Sequence, residues 1–268
     1  MNLHPPRVLS IAGSDSGGGA GIQADLKTMS ALGCFGMTAI TAITAQNTQG
    51  VRAIQALPPA LLEQQIDAVV EDIGVDAVKI GMLHDPEVVR AVARAIDRHR
   101  LERVVLDPVM VATSGDRLIA QETVAVLVAE LFPRATVITP NLDEAGWFVG
   151  HAIPDADALE GAAHELRAMG ARGVLLKGGH LSGPVLTDLL LDGSGVARWS
   201  GERIDTPNTH GTGCTLSSAI ACGLARGDTL REAAAAAREY VRAALRASAG
   251  WRLGHGHGPL DHGWAQRR

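Results

Sequence analysis

The strongest constraint on the fold is a repeated alternation. Short β-branched runs that end in glycine or polar residues are followed by longer stretches with helical spacing. "RVLSIAG" at 7–13 reads as a strand and leads into the glycine-rich "GSDSGGGAG". A helix follows, with Ile22, Leu26 and Met29 at i, i+4, i+7 spacing. Further strands are predicted at 36–47, 77–80, 103–106, 136–139 and 173–177. Helices are predicted at 58–74, 85–99, 120–131, from 142, and at 156–169. The first of these has Pro near its start and Gly just past its end, so it carries both stop signals. Units of this kind join through right-handed crossovers, which predicts an α/β fold with a mostly parallel sheet between two helix layers.

The alternation breaks at 185–200, where "VLTDLLLDGSGVARWS" reads as two strands around an Asp-Gly turn. An antiparallel hairpin at the sheet edge is expected there. Helices at 213–226 and 230–247 close the fold, and no repeat or composition break divides residues 1–268, so one domain is expected. Aromatic residues are only 3% against 46% hydrophobic, so the core is aliphatic, as suits strands covered on both faces.

Net charge of −5 with no basic block argues against a nucleic-acid or membrane surface. No apolar run approaches the ~18 residues of a membrane span, and the first residues lack the apolar stretch of a signal peptide. Cys34, Cys214 and Cys222 form no C-x-x-C and read as free thiols in a reducing cytoplasm.

In open α/β sheets, ligands bind beyond the carboxyl ends of the strands. Residues 13–21, 46–48, 81–82, 107–109, 139–144 and 177–180 fall there, all rich in glycine or polar groups. The lysine-bearing phosphate loop, the helix-opening G-x-G-x-x-G, G-x-S-x-G and H-E-x-x-H are all missing. The loop "HGTGCT" remains. Around Gly211, Thr212 and Gly213, backbone N–H groups can converge at the positive end of a helix, making a cradle for an anion such as phosphate. The same letters also describe an ordinary glycine-rich helix start with a buried thiol. A third reading makes Cys214 a nucleophile with His210 as its base, but it leaves the other loops without work.

Asn141 and Glu144, three apart on a helix start, suit water-held Mg²⁺ near a phosphate, or simply cap the helix. Lys177 ends an apolar strand before two glycines, placed either to reach a phosphate or to be solvated. Three histidines in the tail "GHGHGPLDH" read as part of a closing loop rather than a metal site.

"AGSDSGGGAGIQADLKTMSALG", "TAITAQNTQGV", "KIGML", "DPVM", "ITPNLDEA", "KGGH" and "NTHGTGCT" occur in this order. Together they resemble the bacterial hydroxymethylpyrimidine/phosphomethylpyrimidine kinases, within the ribokinase-like fold, over nearly the whole chain. The resemblance implies ATP-dependent phosphorylation of 4-amino-5-hydroxymethyl-2-methylpyrimidine and then of its monophosphate, with Mg²⁺. By this likeness Gln46 reads the pyrimidine, while Gly13, Asp25, Met82 and Val109 line its pocket. Asn141, Glu144 and Asp107 organise Mg²⁺ and phosphate, Lys177 contacts phosphate, and residues 211–214 form the anion hole. Cys214 stands where related sugar kinases carry an aspartate base, and a helix N-terminus is expected to lower its pKa toward a thiolate. The resemblance also implies homodimers, for which the 185–200 edge is a candidate surface; the glycines at 17–21 and the segment Asp107–Asp116 are candidate movers on their own composition. The nearest alternative is a pyridoxine or pyridoxal kinase with the same cysteine loop. Some of those lack a glutamine at the position of Gln46.

Overall fold

Side chains alternating across the strands divide the core into two. The computed structural model describes residues 4–110, 119, 121–181 and 183–267. Strands β1 (Arg7–Asp15), β4 (Ala77–Ile80), β5 (Val104–Leu106), β6 (Val137–Ile138) and β7 (Val174–Leu176) form the sheet centre. Leu9, Val78, Val104, Ile138 and Leu176 join one cluster, while Val8, Ala77, Val105, Val137 and Leu175 join another. Successive side chains face opposite sides of a sheet, so a continuously apolar run must be covered on both faces.

Helices α2 (Pro59–Asp72), α3 (Pro86–His99), α4 (Gln121–Leu131), α5 (Leu142–Val149) and α6 (Leu159–Ala168) cover the first face. Helices α1 (Gly21–Ala31), α7 (Thr212–Arg226) and α8 (Leu230–Ser248) cover the second. Their ends follow local chemistry. Asp85 caps α3 ahead of Pro86, and Thr229 with Glu232 forms a capping box on α8.

The sheet has nine strands in the order β3-β2-β1-β4-β5-β6-β7-β8-β9. Strands β2 (Phe35–Asn47) through β7 are parallel neighbours in that order, and both ends turn antiparallel. The expected edge hairpin is β8 (Val185–Asp192) with β9 (Gly195–Glu202). The second antiparallel edge, β3 (Gly50–Ala56) on β2, is one that sequence reading missed. Its residues lie mostly part-buried or exposed, so the strand carries no clean apolar alternation. Residues 111–116 of the segment expected to move lie outside the described residues, as does residue 120 at the expected start of α4. Among the described residues no helix is long and apolar enough to cross a membrane.

Candidate active site

A cavity of about 760 Å³ opens at the carboxyl ends of the parallel strands, where the chain leaves each strand for the next helix. Gly13, Gln46, Met82, Asp107, Val109, Asn141, Glu144, Lys177, Gly211, Thr212, Gly213 and Cys214 all line it.

Asp25 does not. Its carboxylate is fully buried in α1, where it accepts from Ser10 Oγ at 2.5 Å, Ser218 Oγ at 2.7 Å and Lys79 Nζ at 2.9 Å. Fully buried and outside the cavity lining, Asp25 acts on the site only through Lys79, which departs from the expectation that it lines the pocket. Its partner Lys79 lies at the cavity floor, fully buried. Burial would lower the Lys79 pKa, but Asp25, Cys214 and Asp107 hold it above the ordinary lysine value.

At one part of the cavity, Gly13 packs against Met82; a Cβ on Gly13 would lie 2.7 Å from the Met82 methyl. The Thr44 hydroxyl shares its one proton between the Ser14 carbonyl at 2.9 Å and Gln46 Oε1 at 3.1 Å, and through the second it steadies the Gln46 carboxamide at the wall. A steadied carboxamide offers a donor and an acceptor at one edge, the pattern that suits an aminopyrimidine.

The other part is ionic. Lys177 Nζ donates to Asp107 Oδ1 at 2.9 Å, and Thr139 Oγ1 donates to the same oxygen at 3.0 Å. Burial opposes the Lys177 charge, but Asp107 and Glu144 raise its pKa above the ordinary value. Gly213 closes over this pair: a Cβ there would lie 3.2 Å from both Asp107 Oδ2 and Lys177 Nζ. Glycine thus lets the start of α7 approach a cation and a carboxylate together.

Asn141 and Glu144 form the capping box of α5. Asn141 Oδ1 accepts from the Glu144 N–H at 2.9 Å, and Glu144 Oε2 accepts from the Asn141 N–H at 2.8 Å. Capping and lining a ligand site are therefore not alternatives here, since the same two residues do both. Burial pushes the Glu144 carboxyl up to about 7, with Lys177 opposing and Asp107 adding to it. The carboxyl oxygens of Asp107 and Glu144, which line the cavity with Lys79 and Lys177, are hard donors, which fits Mg²⁺ held largely through water. The Asn141 oxygen is spent on the cap, leaving its amide nitrogen as the group with hydrogen-bonding capacity to offer.

Cys214 stands in the first turn of α7. Burial pushes its thiol up to about 11, Asp25 and Asp107 add to the rise, and Lys79 and the Gly21 N–H oppose it. The expected lowering by the helix N-terminus is overturned, because burial beside two carboxylates outweighs it. His210 is not the partner of this thiol through Nε2: that nitrogen lies 2.8 Å from Asp15 Oδ2. Asp15, Lys79 and Thr44 are among the cavity residues to which sequence reading gave no work, and His210 had only the disfavoured role of base to the thiol. One of them had a legible signal, since Lys79 interrupts an otherwise apolar strand. Cys34 and Cys222 are buried free thiols. Among the described residues only Asp67, Glu71 and His99 bring three ligand-type groups together, so the tail histidines form no such cluster.

The family model for phosphomethylpyrimidine kinase matches residues 15–261. A hydroxymethylpyrimidine/phosphomethylpyrimidine kinase from Rhizobium meliloti is 52% identical over 255 residues, covering 95% of this chain and 96% of that protein. The thiamine biosynthesis bifunctional protein ThiED of Geobacter sulfurreducens is also 52% identical over 255 residues and 95% of this chain, which spans only 52% of that longer protein. Among solved structures, an ADP complex of Bacillus subtilis pyridoxal kinase superposes with a TM-score of 0.90 at 38% identity, covering 98% of this chain and 100% of that one.

Proposed function

Because this chain belongs to the phosphomethylpyrimidine kinase family, we propose that it phosphorylates the hydroxymethyl group of 4-amino-5-hydroxymethyl-2-methylpyrimidine with ATP. A second transfer, to the monophosphate, then gives the pyrophosphate for thiamine biosynthesis. The observation that carries this reading is one cavity that joins the steadied Gln46 carboxamide to the Lys177–Asp107 pair under Gly213. A heteroaromatic alcohol at the first and a triphosphate at the second would share one enclosure, as direct transfer requires.

Mg²⁺, held by Asp107 and Glu144, would neutralise charge on the phosphate oxygens when bound. Lys177 exchanges Asp107 for the phosphate, and the Asn141 amide donates to it. The N–H groups of residues 211–214, at the positive end of α7, stabilise charge on the group in flight. The substrate oxygen attacks the γ-phosphorus, the bond to the bridging oxygen breaks, and ADP leaves. A largely dissociative transition state needs little early deprotonation, and the Cys214 thiol stays neutral near pH 7. The hydroxyl proton therefore leaves late, to an oxygen of the transferred group, with Cys214 lining its path as a neutral group.

The second reading is a pyridoxal kinase, favoured by the Bacillus subtilis structure at 38% identity. The higher identity of the pyrimidine kinase from Rhizobium meliloti, at 52%, favours the first. Turnover of the pyrimidine alcohol, its monophosphate and pyridoxal, measured side by side with ATP and Mg²⁺, tests both. The pyrimidine alcohol is expected to lead in kcat/KM by at least about tenfold, with activity lost in excess chelator. Dominant turnover of pyridoxal overturns the assignment.

A further inference from the structure

His210 directly precedes Gly211 in the loop that opens α7, and the phosphoryl-transfer chemistry does not use it. Its surroundings are nevertheless built in detail. Nε2 faces Asp15 Oδ2 at 2.8 Å, and the two side chains are only 9% and 2% exposed. The same carboxylate gathers its own loop: Oδ1 accepts from the Gly17 N–H at 2.8 Å, and Oδ2 accepts from the Gly19 and Ala20 N–H groups at 3.1 and 2.8 Å. The histidine is held from behind by its backbone N–H, which donates to the Gly258 carbonyl at 3.0 Å.

Around this hydrogen bond the two loops touch through glycine. Gly211 adopts φ +87°, and a Cβ there would lie 1.9 Å from the Gly19 carbonyl oxygen. A Cβ on Gly19 would lie 2.4 Å from the His210 ring. A Cβ on Gly21 would lie 2.4 Å from the carbonyl oxygen of Gly13, the residue that packs on Met82. Contacts therefore run without a gap from the Gly13–Met82 wall, through Asp15 and His210, to Gly211 and the start of α7.

We infer that Asp15 and His210 are a positioning pair that registers the loop over the acceptor alcohol against the loop that cradles the transferred phosphoryl group. The inference rests on the kinase reading for the identity of the two ligands, but not for the coupling of the two loops. Neither side chain need touch a reacting atom. Asp15 fixes residues 17–20, its bond to His210 fixes residues 210–214, and the pair sets the approach of oxygen to phosphorus. Misplacement of about 1 Å at such a distance from the chemistry is enough to cost turnover about 100-fold. Burial favours a protonated Asp15, but the His210 bond and the Ala20 and Gly17 N–H groups hold its carboxyl below the ordinary range, in keeping with its role as acceptor.

The test compares His210→Ala with His210→Gln, whose side-chain N–H can still reach Asp15. For His210→Ala, kcat on the pyrimidine alcohol is expected to fall about 100-fold with KM within about threefold. Amide hydrogen exchange at Gly17, Gly19 and Ala20, in the opposite loop, should speed up at least about tenfold while β1 stays protected. His210→Gln should recover most of both. Turnover within threefold of wild type, unchanged exchange at residues 17–20, or a Gln variant no better than Ala would each overturn the pair. Should His210→Ala not fold, His210→Asn, too short to reach Asp15, carries the same expectations. A wild-type enzyme inactive on the pyrimidine alcohol would sink the kinase reading, while the exchange measurement would still decide the coupling.

Discussion

Two lysine–aspartate pairs, both 2.9 Å long, sit under the same cavity and do opposite work. Lys79 and Asp25 are sealed, each with 0% side-chain exposure. Ser10 on β1 and Ser218 on α7 complete the Asp25 shell, so this pair ties α1, β1, β4 and α7 together at the floor. Lys177 and Asp107 are open on one side, where the lysine is 16% exposed and the aspartate 1%. A sealed pair has no other partner to choose, so it serves geometry. An open pair can trade its carboxylate for a phosphate, so it serves binding. Residue types and distance are the same; exposure of the lysine, 0% against 16%, makes the difference.

The largest effect should come from breaking the sealed pair. Lys79→Met leaves Asp25 buried without its cation and is expected to lower unfolding stability by about 3–5 kcal/mol in urea titration. Asp25→Asn on top of it, which removes the orphaned charge, should recover about half; no recovery would mean that Asp25 is not charged in the fold.

Breaking the open pair should separate stability from activity. Lys177→Met is expected to lower kcat about 10²–10³-fold while shifting unfolding stability far less than Lys79→Met. Equal losses of stability in the two variants would erase the distinction between the pairs.

Cys214 lies within electrostatic reach of both pairs and tests which one governs it. Cys214→Ala is expected to cost turnover about 10²-fold with a smaller change in KM, and Cys214→Ser to stay within about tenfold of wild type. A serine variant as poor as alanine would mean that a thiolate, not a neutral group, is required.

The smallest effect concerns pH. The folded thiol titrates at about 11, above its ordinary value of 9.0, so the fold favours the protonated form. Cys214 therefore contributes stability that is complete below about pH 9 and is lost as the pH rises toward 11, because the unfolded thiol ionises first. The stability difference between wild type and Cys214→Ala should be flat below that window and shrink within it. A difference that changes between pH 6 and 8 would indicate a lowered thiol instead.

Most of the fold was legible because burial on both faces leaves a strong local trace. Strand β4 was read to the residue from "AVKI", and the helix expected at 85–99 is α3 with its cap, Asp85. Strand β3 was not, since an edge strand with exposed side chains has little reason to alternate. The site divides in the same way. Glycines and strand-end polar residues mark a ligand crevice by position alone, and the cavity lining agrees with them. Asp25 looked equally polar and equally well placed, yet its helix face turns it into the core.

The sequence by itself determined the layers, the mostly parallel sheet and the ring of loops that holds the chemistry. Those follow from local periodicity and from the rule that such sheets bind ligands at their carboxyl ends. Tertiary structure alone decided the charge states and partnerships within that ring. It seated Lys79 on Asp25, brought His210 to Asp15 across 195 positions of chain, and raised the Cys214 thiol where its helix start suggested the reverse. The physical reason is that desolvation and hydrogen bonding between distant residues depend on what surrounds a group in space, and no spacing along the chain records that.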